Sequence, residues 1–286
     1  MNELEYRLNT ELMRKKKILN IVKVFVIIFF IMFVYLFFEY IKLKNQLALV
    51  IVFFSFMISV VFGIMYKNST MKYIKNSIIE YIIREIFEKK SVKYIQNGIP
   101  KKVFDDSRMY GGYNQYYSSD GLKMENDNFY IANVTAIEKD ENNKKSVFVG
   151  IFGYLQTEEF YSEPIVIKPD VENKYISNLK NSKNKIIGNS TDVVRLENNE
   201  FEKYFEVYAK NQIEARQIVT VEYMENLLEL KKQMNTLIKI IYIGNKKYVA
   251  IWNERIIDEK SIYKKGINLA EIKKRIENII KVFEEC

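Results

Sequence analysis

The chain lacks histidine entirely and carries one cysteine, three prolines and one tryptophan in 286 residues. Without histidine it cannot build a Ser-His-Asp or Cys-His nucleophile system, a zinc site on His/Cys clusters, or haem held by an imidazole. A single thiol, Cys286, closes no internal disulfide, so packing alone must hold the soluble part, as suits a reducing compartment. A phosphate-loop motif is also missing, and Gly150-x-x-Gly153 falls inside a strand-like run. The sequence therefore offers no catalytic motif, no resident cofactor and no metal ligand set built on His or Cys. The net charge of +8 is concentrated at one end: residues 1–70 hold nine Lys/Arg against four Asp/Glu, which leaves +3 for everything after them. That residue of charge gives no nucleic-acid footprint.

Long apolar runs, by contrast, are present twice. Ile18 to Phe38 is interrupted only by Lys23, and Leu47 to Tyr66 has no charge at all. About 20 apolar residues in a helix cross a hydrocarbon layer of roughly 30 Å. The first run is too long and too far from the N-terminus for a cleaved signal, and no small-x-small site follows it. The expected layout is a helical segment over 1–17, a transmembrane hairpin over 18–66 (spans 18–38 and 47–66), an amphipathic connector over 67–97, and a soluble domain over 98–286. Basic residues Arg14 to Lys17 and Lys67, Lys72 and Lys75 flank the spans, which places both termini in the cytoplasm of a two-pass protein of a bacterial inner membrane. Ser55, Ser59 and Gly63 form a stripe of small residues that serves either packing within the hairpin or a homo-oligomer seam. Leu4, Leu8 and Leu12 recur every four residues and read as a solvated helical extension, with an interfacial or partner-binding helix as the alternative.

The remainder mixes short strands and helices. Ile74 to Phe87 has helical spacing, and Asp105 to Asp120 reads as irregular, closing in a Ser119-Asp120-Gly121 turn. Phe129–Glu138 and Ser146–Leu155 form an expected hairpin, Ile165–Ile167 a further strand, and Lys174–Ser190 a polar loop around which length can vary. Asn199 with Glu202, Thr220, and Asn268 with Glu271 are helix starts. Gly244-Asn245 between two β-rich runs signals a second hairpin. The fold class is α+β with an antiparallel sheet and flanking helices.

The run Val194-Arg-Leu-Glu-Asn-Asn-Glu-Phe-Glu-Lys-Tyr-Phe-Glu-Val-Tyr-Ala209, with Gln212 to Arg216 and Val219-Thr220, resembles the signature of the bacterial DUF3137 family. The resemblance spans roughly residues 70–286 and implies a membrane-anchored protein of this layout; the family has no established activity. Lys210-Asn211 stands where the family has an acidic residue, and Leu155 to Phe160 lacks its acidic-Phe-Asn-Lys turn.

Two functions remain open. One is a membrane-anchored cytoplasmic binding or scaffolding module, integral to the lipid bilayer, with a protein, peptide or lipid-surface partner. Its candidate lip is Tyr110, Tyr113, Tyr116 and Tyr117, since tyrosine gives contact area at little entropic cost. The other is a membrane-tethered enzyme using carboxylates and a divalent metal, for which Asp105-Asp106, Asp140-Glu141 and Glu158-Glu159 are the acidic pairs. Glu214 and Arg216 are a candidate structural ion pair.

Overall fold

The structure, a computed structural model, describes residues 3–43, 46–87, 91–141, 143–170 and 192–286; of 39–43, 46–49 and 52 only the helical backbone is described. Asn142 and the Lys174–Ser190 segment lie outside the described residues. In chain order the helices are α1 (Glu3–Leu43), α2 (Gln46–Ile86), α3 (Lys101–Asp106), α4 (Asn199–Glu202), α5 (Gln212–Ile218), α6 (Val221–Met234), α7 (Glu259–Lys265) and α8 (Leu269–Glu284). The strands are β1 (Val92–Ile95), β2 (Gln115–Met124), β3 (Phe129–Lys139), β4 (Lys144–Pro169), β5 (Asp192–Val194), β6 (Phe205–Ala209) and β7 (Ile238–Trp252). The chain divides into two compact units: Met1–Ile82 with Asp258–Glu271, and Ile83–Ile257 with Ile272–Cys286.

The first unit is helical. Contacts between α1 and α2 fall in opposite chain order, as antiparallel neighbours require: Lys15 Nζ lies 5.0 Å from the Tyr66 ring, Phe30 pairs with Phe56 at 5.9 Å, and Phe33 with Phe53 at 5.8 Å. One described stretch, Glu3–Phe38, is long and apolar enough to cross a membrane by length and composition. Its apolar side chains from Ile21 to Phe38 are largely exposed, and so are those of α2 from Val50 to Met65. Toward the other end the pattern reverses. Leu8, Leu12, Leu19, Met71, Ile74, Ile78 and Ile82 are buried together with Ile262, Ile267 and Leu269. The N-terminal leucines thus belong to a core and are not a solvated extension. The sequence did not announce this, because their cover comes from residues 258–271, far away in the chain. The amphipathic connector runs on from the second apolar stretch in one helix, α2, unbroken from Gln46 to Ile86.

Among the described residues the second unit is built on a seven-stranded antiparallel sheet in the order β1-β2-β3-β4-β6-β5, with β7 also pairing β4. β4 and β7 form a long bent ribbon. β3 flanks the first half of β4 and β6 the second half. The expected hairpin at Gly244-Asn245 is instead a bend within one strand. Gly244, at φ 62°, stands opposite Tyr161 where the register shifts, and pairing with β4 resumes on both sides. A left-handed residue suits a bulge as well as a hairpin turn, so the local signal was shared. The expected turn at Ser119–Gly121 is likewise a bulge inside β2, with Asp120 at φ 56°. The segment read as irregular, Asp105 to Asp120, holds the end of α3 and the first part of β2. The β3–β4 hairpin forms as expected, and Ile165–Ile167 continues β4 beyond Pro164, which sits at a register break where a missing N–H is tolerated.

Caps close the helices with small differences from expectation. Asn198, not Asn199, caps α4 by accepting from Glu200 N and Phe201 N, both at 3.0 Å. Glu202 reaches back to Leu196 N at 2.9 Å. Thr220 caps α6, and Asn268 accepts from Glu271 N at 3.1 Å, both as read from the sequence. Ile272, Ile276, Ile279, Ile280 and Phe283 of α8 are buried, as their spacing implied.

Candidate functional site

The tyrosines do not form a lip. α3 places Phe104 fully buried, and the rings that follow pack around it: Tyr110 stacked at 5.6 Å, Tyr113 edge-on and Tyr116 tilted at 5.5 Å, and Phe152 edge-on at 4.7 Å. Tyr110 also stacks on Phe148 at 5.0 Å and meets Trp252 at 5.3 Å. Tyr113 donates to Asp105 Oδ1, and Tyr116 donates to Ile99 O at 2.7 Å. Tyr117 points the other way along β2 and is exposed. A polar-looking Tyr/Gly/Asn stretch is therefore core on one side, because one phenylalanine gathers three of the four rings.

Two lysines that the sequence reading passed over are buried in this unit. Lys239 Nζ donates to Met109 O at 2.8 Å and lies 5.1 Å from the Tyr110 ring, whose own hydroxyl is buried without a hydrogen-bond partner. Burial, with the Lys168 charge acting in the same direction, pushes the Lys239 amine down to about 7. Lys247 donates to Val282 O and Phe283 O, each at 2.8 Å, and to Cys286 O, so it closes the carbonyl end of α8. Burial pushes it down to about 7 as well. The available signal was the unbroken apolar run around Lys239: a strand apolar at every position is covered on both faces, so a lysine within it is buried too. A third buried polar group is Asp120, which accepts from Tyr94 Oη at 2.7 Å and Asn133 Nδ2 at 3.0 Å. Asn133 Oδ1 in turn accepts from Ile256 N at 2.9 Å, so the network fastens strands to a loop.

The other singled-out residues fare unequally. Glu214 and Arg216 sit two positions apart on α5 and diverge. Arg216 is exposed and donates to Arg195 O at 3.3 Å and Gln212 Oε1 at 3.4 Å, so the expected ion pair is not made. Ser55 and Ser59 hydroxyls bond back to Ile51 O and Ser55 O, both at 2.9 Å, while a Cβ on Gly63 would stand 3.2 Å from Val22 Cγ1. At Gly63, then, the stripe serves contact between α1 and α2. Glu159 accepts from Tyr161 Oη at 3.0 Å. Among the described residues, no three Asp, Glu or Cys side chains converge as a metal site would need.

The most built constellation lies in the helical unit, where residues 258–271 meet α1 and α2. Asn9 holds both backbone polar groups of one residue, donating from Nδ2 to Ile267 O and accepting at Oδ1 from Ile267 N, each at 2.8 Å. Glu5 Oε2 accepts from Leu269 N at 2.8 Å, meeting an open amide at the start of α8. Lys75 pairs with Glu259 at 3.3 Å. Tyr263 of α7 is bracketed by two ammonium groups, Lys16 Nζ at 4.9 Å and Lys67 Nζ at 5.6 Å from its ring. An open groove of about 730 Å³ runs along the first turns of α1, lined by Glu3, Tyr6, Arg7, Glu11 and Arg14 among others, and its charges are of both signs.

Residues 146–284 match the model of the family described as "Protein of unknown function (DUF3137)". The match starts at β4 and covers just under half of the chain, less than the stretch over which the sequence resemblance was read. No curated protein matches. Among solved structures, the crystal structure of the mycobacterial trehalose monomycolate transport factor A, TtfA, is similar at a TM-score of 0.32 and 8% identity over 68% of this chain and 90% of that one. A likeness of that size carries neither fold nor function.

Proposed function

We propose that this chain, which belongs to the DUF3137 family through residues 146–284, is a two-pass protein of a bacterial cytoplasmic membrane. In this reading α1 and α2 anchor a binding or scaffolding module on the cytoplasmic side. One observation carries the reading. Among the described side chains, the apolar ones of α1 from Ile21 to Phe38 and of α2 from Val50 to Met65 largely face outward, whereas the same two helices bury their apolar residues beyond Leu19 and Thr70. Water penalises such a band at roughly 25 cal/mol per Å² of apolar surface, and lipid removes that penalty. The change of habit falls where the basic flanks stand, at Arg14 to Lys17 and at Lys67, which favours the cytoplasm for both. Lys23 lies six residues inside the first flank, close enough for its stem to reach the headgroups. The packed aromatic core and capped helices of the sheet unit support a rigid platform for a protein or peptide partner.

The test is fractionation of the full chain from cells. The protein should stay in the membrane pellet after alkaline carbonate and leave it only with detergent. Ile27→Asp combined with Ile31→Asp, which charges the middle of the α1 band, should abolish that retention. Release of the unaltered chain by carbonate would refute the anchor.

A further inference from the structure

We infer that α7 is a lipid-contacting element, whose Lys264 and Lys265 complete a basic collar that binds anionic phospholipid headgroups. The inference deepens the membrane-anchored reading and rests on it. Tyr263 fixes the level of α7. Its ring lies within 5.6 Å of both Lys16 and Lys67 ammonium groups; Lys67 directly follows the apolar run that ends at Tyr66, and Lys16 precedes the run that begins at Ile18 by one residue, Lys17. At 1.5 Å per residue, Lys16 is about 3 Å of helix from the first apolar position. A helix from the far end of the sequence is thus held at the edge of the outward-facing apolar band.

Its position is built, not incidental. Asn9 clamps Ile267, Glu5 holds Leu269 N, and Lys75 pairs with Glu259, so three contacts fix α7 from both ends. Exposed cations of three separate segments stand by that edge: Arg14 and Lys17 of α1, Lys67 of α2, and Lys264 and Lys265 next to Tyr263, with Lys72 about 7.5 Å farther along α2. The acids nearby are engaged or lie below that edge. Glu259 faces Lys75, Glu5 faces the α8 amide, and Asp258 caps α7 by accepting from Lys260 N and Ser261 N. Two tyrosines, Tyr66 and Tyr263, stand among the lysines, each under an ammonium group. Clustered cations beside an apolar band, with aromatic rings at the boundary, are the composition that anionic lipid surfaces select. Each basic side chain near such a surface gains about fivefold in affinity, the equivalent of ~1 kcal/mol.

The experiment places the full chain in nanodiscs of equal parts phosphatidylglycerol and phosphatidylcholine and counts retained lipids by native mass spectrometry. The unaltered chain should retain phosphatidylglycerol over phosphatidylcholine. Lys264→Gln with Lys265→Gln should lower that preference about fivefold per lysine, while Lys264→Arg with Lys265→Arg restores it. Lys231→Gln with Lys232→Gln, the same charge loss on α6, should leave it unchanged. An equal preference in the chain with glutamine at 264 and 265, or an equal loss in the α6 control, would overturn the collar while leaving the anchor standing. A full chain that fails to enter nanodiscs at all would end both.

Discussion

Lys239 and Lys247 set the pH response of the fold. Each amine is held near 7 when folded, against an ordinary value of 10.5 in the unfolded chain. Between those values the unfolded chain carries protons that the folded one lacks, so stability rises with pH through that window. Below 7 both states are protonated, and the full cost of burying two charges remains. Lys247 carries less of that cost than its burial implies, because three carbonyl oxygens at the end of α8 favour its cation. Tyr110, Tyr223 and Tyr242 act in the opposite sense. Burial raises all three, so above 10 the unfolded chain releases protons that the folded one keeps, and stability falls again. Urea midpoints of the sheet unit's transition should therefore climb from pH 7 to about pH 10 and drop beyond it. Lys239→Met should be most favourable relative to the parent at pH 6 and lose that advantage by pH 10. A midpoint flat from pH 7 to 9.5 would mean that the buried amines stay charged. At the same scale, Phe201 is fully buried and stacked on Phe205 at 5.0 Å, whereas Phe160 is 74% exposed. Phe201→Ala should cost about 3–5 kcal/mol and Phe160→Ala about 0.5 kcal/mol or less, read from the same denaturation curves.

Among the elements, the β4–β7 ribbon decides the sheet. Gly150 and Gly153 lie on β4 where strands pair on both edges, and a Cβ on either would run into backbone, Ile251 O in one case and Tyr130 O in the other. Gly153→Ala should destabilise by about 1–3 kcal/mol, as overpacking does. Gly112→Ala, which meets nothing within 4 Å but sits at φ 75°, should show only the smaller strain of a left-handed alanine. Equal losses at the two sites would count against close strand approach as the reason for glycine at 153. Most elements were legible in the sequence because their apolar residues keep one period: the β3–β4 hairpin, α6 and α8 all follow their patterns. The misreadings have a common cause. Gly244-Asn245 and Ser119-Asp120-Gly121 carry turn chemistry, and turn chemistry states a backbone conformation without saying whether the chain reverses. That depends on the partner strand, and β4 continues past Gly244. Leu8 and Leu12 failed for a related reason. Their spacing showed an apolar face but not its cover, which residues 258–271 supply. The tyrosine lip failed because composition counts hydroxyls, while Phe104 decides which rings turn inward.

At the scale of the whole molecule the open quantity is orientation, and Cys286 reports on it. The thiol is buried, and burial pushes it up to about 11, so in the folded protein it is a weak nucleophile on either side of a membrane. Silence toward a reagent in intact cells therefore has two sources, enclosure by the bilayer and burial in the fold, and only denaturation after lysis separates them. A membrane-impermeant maleimide should leave Cys286 unmodified in intact cells and in gently lysed cells, and label it once the lysate is denatured. A cysteine introduced for Asn45, between the two apolar runs, in a Cys286→Ser background, should be labelled in intact cells, because the proposed two-pass topology puts that segment opposite both termini. To remove the ambiguity of burial, a third chain carries a cysteine for exposed Lys264 in the same Cys286→Ser background. It should be silent in intact cells and react on gentle lysis without denaturant. Labelling at 264 in intact cells would reverse the topology, since the positive flanks would then lie outside. It would also move α7 and its lysines away from the leaflet where anionic lipid attracts them.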